Sequence, residues 1–261
     1  MTASRFRSRC ILNTLLVLIL AGCATTGVRP QEEVAPRHTI SEFRDQRFAE
    51  VADPWEGFNR NMYRFNFYFD KYLFLPVVSG YEFVTPTFVQ NRISGFYNNL
   101  GEVRNFTNSL FQLKAAETVT TLGRFVTNST LGLGGLFDPA TKFGLERHPQ
   151  DFGKTLGYWG SDSGPYLVLP FFGPSSLRDT GGLVVDTGIT YGIYTAIDPF
   201  GGTGDASTAI DTGVTALGAV DTRHQRSFRY YESGYPFEYY MVRFFYHEKR
   251  DIESGKRKPA E

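Results

Sequence analysis

The sequence predicts a mainly α-helical fold, and three observations point there. Trp55, Phe58, Met62, Phe65, Phe69 and Tyr72 recur at steps of three and four residues, which draws one apolar stripe along a helix. Asp53-Pro54, Thr85-Pro86 and Asp138-Pro139 each pair an N-capping residue with a proline suited to the first helical position. Phe, Tyr and Trp supply 16% of the chain, about twice the ordinary share, yet beyond residue 22 there is no run of about 18 apolar residues to form a spanning helix. Such rings suit a protein lodged at a membrane interface or, equally, an aromatic-rich soluble core.

The first helix is expected from Asp53, with Glu56 completing a variant of the capping box, to just before Pro76. Its stripe reads as core. Phe67, Tyr68 and Phe74 lie off the stripe and leave the helix nearly ringed by aromatics, as in a helix that is buried or touches lipid. A second helix is expected from Thr85-Pro86 with Phe88, Val89, Ile93, Phe96, Tyr97 and Leu100 inward. A third covers about 102–112 through Val103, Phe106 and Leu110, and a fourth runs through Val119, Leu122, Phe125 and Val126. At Asn128 the texture changes. Leu131, Leu133, Leu136 and Phe137 alternate with Gly132, Gly134 and Gly135 in neither helical nor strand period, and a short helix then runs through Phe143 to a stop at Gly144. The residues allow a tight packed turn or a mobile hairpin with an apolar tip. Residues 164–174, broken by Pro170 and bounded by Gly-Pro pairs, read as an extended apolar segment and not as a central strand. A loop is expected at 200–208, then a helix to about Tyr231 and a last helix from about Pro236 bearing Tyr240, Val242, Phe245 and Tyr246.

The N-terminus is a processing signal. Arg5, Arg7 and Arg9 precede an apolar stretch at 11–21, and Leu20-Ala21-Gly22-Cys23 has the form of a lipoprotein cleavage site with Cys23 as the lipidated residue. Ala24, in place of an aspartate, favours the outer membrane. The expected organisation is a signal peptide at 1–22, a flexible tether at 23–50, one helical domain at 51–250 and a polar tail at 251–261. Removing the signal takes three arginines from a 27:27 charge balance. The slight acidic excess left behind gives nucleic acid no basic surface.

Catalytic and cofactor signatures are incomplete. Gly153-Lys154-Thr155 lacks the leading glycine of a phosphate loop, since His148 stands there. The centre of Gly160-Ser161-Asp162-Ser163-Gly164 is Asp162 and not a serine nucleophile. The glycines at 132, 134 and 135 miss the third member of a dinucleotide fingerprint. His38, His148, His224 and His247 lack zinc spacing, and Cys10 and Cys23 fall in the signal and at the lipidation site. No enzyme, cofactor or metal is expected.

Four motifs then stand in order: Asp53-Pro54-Trp55-Glu56-Gly57-Phe58-Asn59-Arg60; Arg124-Phe125-Val126-Thr127-Asn128-Ser129-Thr130 followed by Gly132, Gly134, Gly135 and Asp138; Asp151-Phe152-Gly153-Lys154-Thr155-Leu156-Gly157; and Gly164-Pro165-Tyr166-Leu167-Val168-Leu169-Pro170 with Gly173-Pro174 and Arg178-Asp179. Together, behind the lipoprotein signal, they resemble the MlaA (VacJ) family over about residues 50–190. The C-terminal helix resembles the family's through Met241-Val242-Arg243 and Tyr246, whereas about 198–235 departs from the pattern. The resemblance implies a ring of amphipathic helices lying in the outer membrane around an amphipathic channel. It implies passage of phospholipids, misplaced in the outer leaflet, to a periplasmic carrier of the MlaC type, association with a porin trimer, and a lipid-anchored position on the periplasmic side of the outer membrane. It also favours the mobile-hairpin reading, with Leu131, Leu133, Leu136, Phe137, Phe143 and Leu145 as apolar tip and Gly134 and Gly135 as hinges. Arg124 and Asn128 are either polar channel groups or buried hydrogen-bonding residues. A phospholipase-like lipoprotein and a porin-bracing one are the competing functions.

Overall fold

A computed structural model describes residues 51–197 and 205–255. The signal, Cys23, the tether, residues 200–204 of the expected loop and residues 256–261 of the tail lie outside the described residues. Nine α-helices are described: α1 (Glu56–Phe69), α2 (Leu75–Val84), α3 (Thr87–Phe111), α4 (Ala115–Thr130), α5 (Pro139–Lys142), α6 (Phe152–Tyr158), α7 (Leu177–Ile197), α8 (Asp205–His224) and α9 (Glu238–Glu253). Between α6 and α7 lies a hairpin of two strands, β1 (Tyr166–Leu169) and β2 (Gly173–Ser176), with Tyr166 opposite Ser176 and Leu169 opposite Gly173.

Several elements differ from expectation for identifiable reasons. Helix α1 begins two residues late because Asp53 does not cap it: the Asp53 carboxylate accepts from Asn59, Arg243 and Tyr239 instead. Pro76 does not end the helix either. A π-helical turn at Asp70–Phe74 joins α1 to α2 and places Pro76 in the first turn of α2, where its missing N–H costs little. The expected second and third helices are one, α3. The extended apolar segment folds back on itself as β1 and β2, with Phe171 in the left-handed region at the turn. Helix α8 already starts at Asp205, inside the expected loop, and ends at His224, short of Tyr231. Helix α7 carried no periodic signal, because Gly181, Gly182, Gly188 and Gly192 and its β-branched residues weaken helix propensity. Gly182 has a packing reason: a β-carbon there would sit 2.3 Å from the Gly153 nitrogen of α6.

The largest correction concerns which faces are inside. Most of the stripe expected as core points outward: Trp55, Phe58, Phe65 and Tyr72 are exposed and Met62 and Phe69 half-buried, while Asn59, Tyr63, Asn66, Phe67 and Asp70 are buried. On α3 the expected inward residues Phe88, Val89 and Leu100 are exposed, as is Leu110, and Gln90, Asn99, Glu102, Asn105 and Asn108 are buried. On α4 Val119, Leu122 and Val126 face out above buried Thr121, Arg124 and Asn128. Among the described residues, buried polar side chains far outnumber buried apolar ones. A water-soluble helix has the opposite arrangement.

Two devices hold this polar interior together. Asparagines finish the sheet: Asn59 donates to the Tyr166 carbonyl at 3.0 Å and accepts from the Val168 N–H at 2.8 Å, and Asn66 does the same for Leu169 and Phe171. The free edge of β1 is thus paired by side chains of α1. Arginine–carboxylate clamps do the rest. Arg223 grips Asp70 through two bonds of 2.6 and 2.8 Å, tying α8 to the π turn. Arg250 of α9 lies between Asp151 and Asp179 with four bonds of 2.7–2.9 Å. Buried charges are tolerated because each is paired and hydrogen-bonded on several sides. A small aromatic core of Tyr63, Tyr166, Phe237, Tyr239 and Tyr240 packs edge to face beneath α9.

Candidate functional site

The glycine-rich segment after α4 has an apolar outside and a polar root. Leu131, Leu133, Leu136, Phe137 and Phe143 are exposed, and Leu145 is half-buried against Gly123. The backbone is closed by hydrogen bonds from Gly132 to Thr127, Gly134 to Ser129, Gly135 to Asn128 and Phe137 to Gly132. The 131–137 segment is therefore a stack of turns continuing α4. Its glycines are not equivalent. A β-carbon on Gly135 would meet the Asn99 side chain at 2.4 Å, and one on Gly95 of α3 would meet the Gly135 carbonyl at 2.7 Å. Gly135 thus belongs to a close helix–turn contact. Gly134 and Gly144 have positive φ and open space around them, so the conformational freedom lies there.

Arg124 and Asn128 occupy the root and are buried hydrogen-bonding residues. Arg124 donates to Glu102 at 3.0 Å, Asp138 at 3.0 Å, Thr141 at 3.1 Å and the Leu145 carbonyl at 2.6 Å. Asn128 donates to Asp138 and accepts from the Ala140 N–H. Asp138 also caps α5 through Thr141, as its sequence position predicts. Burial alone would raise the Asp138 pKa, but bonds from Thr141, Asn128 and Arg124 overcome it and hold the group at about 2. Both ends of the 131–145 segment are thereby fastened to α4, and α4 to α3.

Beside this root is a cavity of about 520 Å³ that no sequence motif foretold. Its walls come from α3 (Tyr97, Asn98, Leu100, Gly101 and Arg104), α7 (Thr190), α8 and the residues after it (Gly218, Thr222, Gln225 and Arg226), and Arg147. Arg147 connects cavity and root: it donates to the Asn98 side chain at 2.9 Å and pairs with buried Glu102 at 3.4 Å, the carboxylate that also holds Arg124. Burial lowers the Arg147 pKa, and the charges of Arg124 and Arg104 add to the fall against the pull of Glu102. Glycine permits the tight wall, since a β-carbon on Gly218 would sit 2.7 Å from the Tyr97 ring. Among the described residues no cluster of His, Asp or Glu is arranged to hold a metal ion, and no helix is long and apolar enough to cross a membrane.

A family model described as MlaA lipoprotein matches residues 51–253. The chain belongs to the MlaA family. An MlaA of Escherichia coli strain K12, called an intermembrane phospholipid transport system lipoprotein, is 32% identical over 252 residues, covering 93% of this chain and 88% of that one. The MlaA of Haemophilus influenzae, of the same description, is 31% identical over 181 residues and 68% of each chain. An uncharacterized protein of Rickettsia prowazekii is 42% identical over 130 residues, 50% of this chain and 52% of its own; the chain spans about half to two thirds of the rickettsial relatives it matches. A solved structure described as the structural basis for maintenance of bacterial outer membrane lipid asymmetry has a TM-score of 0.59 and 30% identity, covering 78% of this chain and 99% of that chain. The matched MlaA region contains the root, the clamps and every described wall of the cavity.

Proposed function

We propose that this chain is an outer-membrane lipoprotein that moves phospholipids, withdrawing those misplaced in the outer leaflet and passing them to a periplasmic carrier so that lipid asymmetry is kept. The observation that carries the reading is the reversed polarity of the helices. Aromatic and aliphatic side chains on α1, α3 and α4 face out over a buried polar interior, an arrangement that water disfavours and acyl chains accept. A phospholipid in transit needs a polar route for its headgroup and an apolar one for its tails. The kinship with lipoproteins of an intermembrane phospholipid transport system agrees with this.

In this reading Cys23 carries the lipid, residues 23–50 tether the domain, and the helices lie in the periplasmic side of the outer membrane around an amphipathic channel, beside a porin trimer. A MlaC-type carrier takes up the lipid. The 131–145 segment is the movable apolar element, with Leu131, Leu133, Leu136, Phe137, Phe143 and Leu145 toward lipid and Gly134 as hinge. Arg124 and Asn128 hold its root. Binding and release suffice for the task, so no catalytic residue is assigned.

The test is genetic. Deleting the gene in its own host should raise phospholipid in the outer leaflet, read with an amine reagent that does not cross the membrane. The wild-type chain should restore asymmetry. An unchanged outer leaflet after deletion would refute the proposal.

A further inference from the structure

The cavity wall contains three arginines and no aspartate or glutamate. Arg147 is committed to Asn98 and Glu102. Arg104 and Arg226 have no side-chain hydrogen-bond or ion-pair partner among the described residues. The nearby buried carboxylates are occupied elsewhere: Glu102 by Arg124 and Arg147, Asp186 by Asn108 and the Phe152 N–H, and Asp221 by Ser94 and Gln225. Two guanidinium groups, ten N–H donors in all by their chemistry, therefore line a common space whose wall offers them no carboxylate. Leu100 and the Tyr97 ring supply apolar surface in the same wall.

We infer that this cavity is a phosphate-binding subsite in which Arg104 and Arg226 receive the oxygens of a phosphate ester and Arg147 adds a third positive charge. Planar guanidinium groups bind phosphate through paired, charge-assisted bonds. The apolar part of the wall suits a phosphate attached to a glycerolipid, which rests on the phospholipid reading above; a free phosphate ester would use the same donors. The wall residues from α8 onward lie in the segment that departs from the family's motif pattern, and this gives that segment a role. Selection follows directly. Any headgroup joined through phosphate should bind, whereas a diacylglycerol would leave both arginines without acceptors.

The test uses the full chain in nonionic detergent, with fluorescent-acyl phosphatidylethanolamine, phosphatidylglycerol and diacylglycerol as probes. Glycerol 3-phosphate is the free competitor. The R104Q/R226Q double variant should weaken binding of both phospholipids by about tenfold or more for each arginine and leave diacylglycerol binding unchanged. R104K/R226K should recover part of the loss. Both side chains are exposed and unpaired, so the variants should fold as the wild type does. Wild-type affinity for both phospholipids in the glutamine variant would overturn the subsite while leaving phospholipid transport intact. A parallel loss of diacylglycerol binding would overturn it too, since packing would then be the cause. Binding of glycerol 3-phosphate but of no phospholipid to the wild type would uphold the phosphate subsite and remove the lipid reading.

Discussion

Arg250 and Arg104 are the same residue type put to opposite uses. Arg250 is packed between Asp151 and Asp179, and every direction its guanidinium can point is answered by a carboxylate. Arg104 lines a cavity whose wall holds no carboxylate and makes no side-chain hydrogen bond or ion pair among the described residues. In a protein whose interior is polar, arginine serves as scaffold where its donors are used and offers a binding group where they are not. Burial separates the two sets as well: Arg124, Arg223, Arg243 and Arg250 are buried, and Arg104 and Arg226 are exposed.

The comparison breaks most sharply at Arg250. Replacing it by alanine takes the shared counter-charge from buried Asp179, which keeps Arg178 and Tyr246, and from half-buried Asp151, so about 3 kcal/mol of stability should be lost. Denaturant unfolding followed by tryptophan fluorescence measures this, and a loss below about 1 kcal/mol would show that the clamp is not scaffold. Acid tests the same clamp from the other partner. Burial tends to raise the Asp179 pKa, but bonds from Arg250 and Tyr246 hold it at about 2, below the ordinary 3.8. A depressed carboxylate stabilises the fold above its ordinary value and loses that contribution as pH falls through the folded one. Stability should therefore drop between about pH 4 and pH 2, and D179N should flatten this part of the curve.

Glycine substitutions sharpen the contrast between root and tip of the 131–145 segment. Gly135→Val drives a side chain into Asn99 and should cost about 2–3 kcal/mol. Gly134→Ala meets nothing and should cost about 1 kcal/mol from its positive φ alone. Thermal melts of the two variants give the order, and equal costs would mean that the turn stack does not pack against α3. At the small end, R104Q/R226Q should change stability by less than about 0.5 kcal/mol. A large loss there would make these arginines scaffold after all.

Most of the helices were legible because period acts locally. Of the three expected capping pairs only Asp138-Pro139 caps its helix, since α1 and α3 begin after Trp55 and Pro86 without a side-chain cap. Asp138 and Pro139 start α5 where the residues say they should. The facing was not legible. The 55–72 stripe has the right spacing, but spacing does not say whether the stripe meets a core or a membrane. The clamps join residues as far apart as Asp70 and Arg223, which no local pattern connects. The motif residues Arg124, Asp138, Asp151 and Asp179 identified the family, and the structure places them in its clamps. The cavity arginines were illegible for the converse reason: nothing in the sequence marks an arginine that lacks a partner.

The most direct measurement is mass spectrometry of what the full chain retains after extraction from its own membranes in mild detergent. Intact phospholipid bound to the wild type, and depleted from R104Q/R226Q, is the expected result. Lyso-phospholipid in its place, or no lipid at all, would contradict a phospholipid conduit.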